Sequence, residues 1–166
     1  RDYQIDTLKD QGFDAVYLSI GAMAAKPPSI PGDDAEGVMS AIKFLADVNW
    51  NETVNIGKRV IVIGGGFTAA DAVRTARRVG GSEVTMMYRR TRTEMTAAAH
   101  EIHECDVEGI KLDLLTAPVS VNVENGRVVG ITSQRMELGE PDDSGRRRPV
   151  PIPGSEYFTP ADTILL

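Results

Sequence analysis

Lys58-Arg-Val-Ile-Val-Ile-Gly64-Gly-Gly66-Phe-Thr-Ala69-Ala-Asp71, continuing to Tyr88-Arg-Arg-Thr-Arg92, is the stretch on which the fold turns. Val60 to Ile63 is a short, uninterrupted, β-branched run, the pattern of a parallel strand buried on both faces. Three glycines follow. Ala69, Ala72, Val73, Ala76 and Val79 then recur at helical spacing, while Arg74, Arg77 and Arg78 lie on the other side. The spacing predicts a helix over Phe67–Val79, ended by Gly80-Gly81, and a second strand over Val84–Tyr88. Strand, glycine turn, helix and strand within about 30 residues make a βαβ unit.

The glycine spacing is Gly64-x-Gly66-x-x-Ala69, the G-x-G-x-x-G/A form of a dinucleotide fingerprint. Gly64 suits the tight turn, Gly66 lets a pyrophosphate approach the backbone, and Ala69 lets helix pack closely on strand. The N–H groups and dipole at the helix start then attract phosphate. The expected contacts are therefore Gly64, Gly65, Gly66, Phe67, Thr68 and Ala69. The competing reading is a glycine-rich strand–helix turn with no ligand, and the strand before and helix after the motif weigh against it.

The end of the second strand selects between cofactors. An NAD site carries Asp or Glu about 20 residues beyond the fingerprint, to accept from the ribose 2′-OH. Here Met86, Met87 and Tyr88 lead into Arg89, Arg90 and Arg92, and no carboxylate occupies the place. Guanidinium groups there pair with a 2′-phosphate, which predicts NADPH rather than NADH. The bland alternative is a solvated cluster of arginines.

These residues, from Gly57 to Arg78 and from Val84 to Met95, together with Leu114-Leu-Thr-Ala-Pro-Val119, resemble the small (β) subunit family of NADPH-dependent glutamate synthase. The flavin part of dihydropyrimidine dehydrogenase and the NADPH subunit of ferredoxin:NADP transhydrogenases share the pattern. The resemblance covers nearly the whole chain. It implies the NADPH-binding domain of a flavoprotein in which NADPH reduces FAD, held in a separate domain of the same polypeptide. Iron–sulfur clusters and a partner subunit with the final electron acceptor would lie elsewhere. The family often has Asn where this chain has Phe67.

A chain of 166 residues is long enough for one domain with a proper core. Its net charge of −6, from 18 basic and 24 acidic residues, argues against general nucleic-acid binding. The single cysteine, Cys105, allows no internal disulfide, which fits a reducing, cytoplasmic compartment. One cysteine does not supply the usual Cys₄ set of an iron–sulfur cluster. No apolar stretch is long enough to span a membrane. Arg1 at one end and Thr163-Ile-Leu-Leu166 at the other suggest a fragment of a longer protein.

Along the chain, residues 1–11 are expected to form a short leading helix, and Phe13–Gly21 a strand. The latter resembles the family's exit from the FAD domain, and the terminal strand resembles the matching re-entry. Lys26–Gly32, with three prolines and a glycine, reads as a connector. Asp33 and Asp34 sit near the start of a helix that Val38, Ile42, Leu45 and Ala46 carry to about Asp47. Thr96 is a candidate N-cap for a helix to about Val107 with Ala98, Ile102 and Cys105 buried. His100 and His103, three apart, miss the zincin spacing, and no metal site is expected. Ile110–Leu115 reads as a third parallel strand. Val119–Val123 and Val128–Met136 flank Asn125-Gly126 as a hairpin. Residues 139–151 read as an exposed mobile loop.

The expected architecture is α/β and Rossmann-like: a three-layer parallel sheet with helices on both sides and an antiparallel hairpin insert. The expected division is 1–35 as connector and strand from the FAD domain, 36–152 as the NAD(P)H-binding domain, and 153–166 as the return segment. The function expected is delivery of hydride from NADPH to FAD, with no catalytic side chain of its own. The alternatives are a non-catalytic NAD(P)-binding regulatory or assembly module and a related NADPH:ferredoxin-type subunit. A flavin fingerprint upstream in the gene separates the enzyme from the module.

Overall fold

The computed structural model describes residues 4–19, 21 and 29–166. Helix α1 (Ile5–Asp10) leads in and buries none of its residues. The expected strand over Phe13–Gly21 does not form: residues 13–19 carry no strand, and Phe13, Tyr17 and Leu18 are exposed. Among the described residues, no strand pairs with that segment. Ile20 and, in the connector, Lys26–Pro28 fall outside the described residues.

Strand β1 (Val38–Met39) replaces the start of the predicted helix. Its two residues pair in parallel with Ile164 and Leu165, because a sheet edge lies within their reach. Helix α2 (Ala41–Asn49) starts only after Ser40, whose Oγ accepts from the Lys43 amide at 3.5 Å. It buries Ala41 and Phe44, and Trp50 ends it 80% exposed. Strand β2 (Arg59–Ile63), helix α3 (Phe67–Arg78) and strand β3 (Glu83–Tyr88) reproduce the predicted βαβ unit. A 3₁₀ turn over Arg92–Glu94 precedes helix α4 (Ala99–Val107). That helix is capped by Ala98 without a side-chain bond, so Thr96 is not its N-cap.

Strand β4 (Lys111–Leu114) is followed by β5 (Thr116–Glu124), β6 (Arg127–Pro141), β7 (Arg147–Pro151), β8 (Tyr157–Pro160) and β9 (Thr163–Leu165). The parallel sheet runs β1-β9-β2-β3-β4. The segment expected as a return to another domain therefore supplies the strand between β1 and β2, in register Val60↔Thr163 through Val62↔Leu165. Alternation along the strands sorts the core into two layers. Val60, Val62, Met86 and Leu165 meet α2, α3 and α4. Ile61, Met87 and Ile164 meet Val121, Val128 and Ile131 of the antiparallel sheet. Among the described residues, helices thus cover one face, and the antiparallel sheet takes the face where more helices were expected.

The β5–β6 hairpin turns at Asn125-Gly126 as predicted, with Glu124 opposite Arg127. Strand β6 continues far beyond Met136, and residues 139–151 form a second hairpin with Met136 opposite Pro151 and Leu138 opposite Pro149. Proline is tolerated there because it sits where no ladder donor is needed, as on sheet edges.

Candidate functional site

The site is built at the carboxyl end of β2, where strand order departs in both directions: β3 lies on one side and β9 on the other. Ligands of open α/β sheets bind at such a point. Gly64 extends the β2–β3 ladder, its N–H donating to the Met87 carbonyl at 3.0 Å. Its φ of +147° lies in a region that favours glycine, and a Cβ there would stand 3.1 Å from the Ala69 methyl. Gly65 lies flat on Tyr88: a Cβ on it would come within 2.7 Å of the ring. The Gly65 carbonyl accepts from the amides of Thr96 and Ala97 at 3.1 and 3.2 Å. The Tyr88 hydroxyl donates to the Glu94 carbonyl at 2.8 Å. The glycine turn is therefore held from below by β3 and from the side by the loop leading to α4.

Gly66 is the N-cap of α3 and offers no side chain to it. The first N–H groups of a helix have no intrahelical acceptor. Among the described residues, those of Phe67, Thr68 and Ala69 donate to no protein group. Ala69 and Ala70 are buried against the sheet, whereas Phe67 and Thr68 are exposed. Open donors at the dipole's positive end, with no side chain over them, form a cradle that fits a pyrophosphate. Two cavities, of about 380 and 480 Å³, open instead at the amino ends of the strands, beside Ser82 and Lys111 and beside Gly57 and Asp162. The fingerprint is an open shelf and lies in neither.

The three arginines after β3 separate. Arg89 is exposed and has no hydrogen bond or ion pair among the described residues. Arg90 is 4% exposed, donating through Nε to the Arg147 carbonyl at 2.7 Å and through Nη2 to Asp142 at 2.5 Å. Arg92 makes a two-pronged pair with Asp106, both contacts at 2.7 Å. That pairing holds the Asp106 carboxyl below its ordinary range. Of the three, the fold leaves Arg89 with its guanidinium available.

Sequence reasoning passed over Tyr88, Glu94 and Asp142. Thr91-x-x-Glu94 is a legible capping box, and both reciprocal bonds form. Glu94 accepts from the Thr91 amide at 3.1 Å and from its hydroxyl at 2.5 Å, and these bonds lower its carboxyl pKa. No local signal marks Asp142, which acts across 52 residues. Cys105 is buried in the core, and burial pushes its thiol up. His100 and His103 lie exposed on α4; among the described residues no group of three or more His, Cys, Asp or Glu side chains is placed to hold a metal ion. No helix among them is long and apolar enough to cross a membrane.

The chain is 44% identical over 169 residues to NADPH-Fe(3+) oxidoreductase subunit beta of Geobacter sulfurreducens, covering 99% of this chain and 25% of that one. It is 38% identical to the glutamate synthase [NADPH] small chain of Escherichia coli K12, covering all of this chain and 38% of that one. It thus spans well under half the length of either relative. Among solved structures, Mycobacterium tuberculosis FprA in complex with NADPH superposes with a TM-score of 0.73 at 20% identity, over 98% of this chain and 51% of that one, a likeness of fold. Residues 3–143 match the pyridine nucleotide-disulphide oxidoreductase family, and to that family this chain belongs.

Proposed function

We propose that the chain is the NADPH-binding domain of a flavin-dependent oxidoreductase resembling the glutamate synthase small subunit. The observation that carries the reading is the Gly64–Ala69 cradle with unpaired Phe67, Thr68 and Ala69 amides, flanked at the end of β3 by the free guanidinium of Arg89. When bound, NADPH supplies hydride and FAD, held by a flanking domain of the same polypeptide, accepts it. The chain's own groups bind and orient: the α3 amides take the pyrophosphate and Arg89 takes the 2′-phosphate. No protein proton donor is required. The relatives named as a subunit beta and a small chain support a partner subunit that carries the final acceptor. The lone buried thiol suits a cytoplasmic setting.

Calorimetric titration with NADPH and NADH tests the reading. NADPH is expected to bind at least about ten-fold more tightly, with the difference shrinking as salt rises. Arg89→Ala is expected to erase the preference and leave NADH affinity in place. Equal affinity of the unaltered protein for both nucleotides would remove the 2′-phosphate assignment, and binding of neither would remove the site.

A further inference from the structure

Arg90 stands at the strand end where a 2′-phosphate ligand is expected, yet its guanidinium is turned into the protein. Its two bonds both reach the β6–β7 turn: Nε to the Arg147 carbonyl at 2.7 Å, Nη2 to Asp142 Oδ2 at 2.5 Å. Asp142 organises that turn. Its Oδ1 accepts from the Ser144 amide at 2.9 Å and from the Ser144 hydroxyl at 2.5 Å. Its own amide donates to the Arg146 carbonyl, and its carbonyl accepts from the Gly145 amide, both at 2.8 Å. The Arg90 carbonyl accepts from the Leu115 amide, whose own carbonyl accepts from the Met136 amide, so β6 is tied to the same corner at Met136 as well. Arg89, one residue away, and Arg148 on the hairpin have no partner among the described residues.

We infer, building on the NADPH reading above, that Arg90 and Asp142 form a clamp that seats the β6–β7 turn as the second wall of the 2′-phosphate subsite. Arg90 and Asp142 are then positioning residues, and Asp142 determines selectivity although its charge has the sign of the phosphate. The clamp cancels that charge, and it ties the Asp142 turn and the Arg147 backbone to the residue that follows Arg89. A guanidinium with no competing carboxylate is what a phosphate dianion requires. An unclamped turn leaves the carboxylate loose beside the ligand and the basic hairpin unseated.

The test uses NADPH and NADH titrations together with hydrogen exchange of the nucleotide-free protein. Asp142→Asn is expected to weaken NADPH about ten-fold and to change NADH by less than about two-fold. Arg90→Ala is expected to match it, the double variant to be no worse than either single one, and Arg90→Lys to fail to rescue, since one ammonium cannot serve both acceptors. Amides of β7 are expected to lose protection in Asp142→Asn. Unchanged or tighter NADPH binding in Asp142→Asn would overturn the inference, because a carboxylate that merely repels phosphate gives that result. Equal weakening of both nucleotides would also overturn it, leaving only a fold-wide role. Unchanged exchange in β7 would overturn the clamp whatever the nucleotides do. If the unaltered protein binds neither nucleotide, the NADPH reading and the selectivity role fail together, and the exchange result alone judges the clamp.

Discussion

A Cβ on Gly65 would stand 2.7 Å from two carbons of the Tyr88 ring, and that ring cannot retreat. Tyr88 is buried and tethered through its hydroxyl to the Glu94 carbonyl. Gly65→Ala is therefore an overpacking substitution, expected to cost about 1–3 kcal/mol and to lift the fingerprint turn off β3. Urea unfolding should show a lower midpoint at unchanged slope, with a parallel loss of nucleotide affinity. Single contacts likewise decide the fates of Arg89, Arg90 and Arg92. The sequence presents them as equals at the end of a strand, and their partners separate them. Asp106 lies 14 residues away and Asp142 lies 52 away, distances over which no local pattern reports.

Helix α3 is paired with α4 and its C-cap through two guanidinium groups. Arg74 reaches Glu108 at 2.7 Å, Glu101 at 3.0 Å and Glu104 at 3.5 Å, and Arg78 adds a second contact to Glu108 at 2.6 Å. Arg74 is 19% exposed, so solvent screens part of this network. Removing it leaves three carboxylates of α4 facing one another. Arg74→Ala is expected to cost about 1 kcal/mol, or about 2–4 °C in Tm, and the deficit should shrink in about 1 M salt as repulsion is screened. Thermal unfolding at two salt concentrations checks this; a deficit unchanged by salt would assign Arg74 a packing role alone. Elements with strong periodicity were legible: β2, α3, β3 and the Asn125-Gly126 hairpin fall where the pattern puts them. Strand β1 was hidden because Val38 and Met39 also fit the helical spacing that follows them. Strand β7 was hidden because Arg-Arg-Pro-Val-Pro has no alternation, and its pairing comes from β6 and from Arg90.

In the whole molecule, the last strand holds the sheet together. Strand β9 lies between β1 and β2, and Asp162 fixes its entry. Asp162 Oδ2 accepts from the Lys58 and Arg59 amides, each at 2.9 Å, while Oδ1 takes Nε and Nη2 of Arg59 at 3.1 and 2.5 Å. The Arg59 guanidinium, helped by those amides and opposed by burial, holds the Asp162 carboxyl down from 3.8 to about 2. The folded protein therefore binds this proton more weakly than the unfolded chain does. The resulting stabilisation is complete above pH 3.8 and is lost as the pH falls to about 2. Asp162→Ala is expected to cost about 1–3 kcal/mol at neutral pH and to flatten the loss of stability across that acid window. Denaturant unfolding at a series of pH values checks both, and an unaltered acid slope would assign the pH dependence to other carboxylates.

The sequence by itself determined the βαβ unit, the glycine turn, the absence of an acidic residue at the end of β3, and the family resemblance. These rest on periodicity and on backbone freedom, which are properties of near neighbours. Only the tertiary structure decided which face the helices cover, where β9 inserts, and which arginine keeps a free guanidinium. Those outcomes depend on hydrogen bonds and ion pairs between residues far apart in the chain, and such pairs exist only once the two sheets have packed.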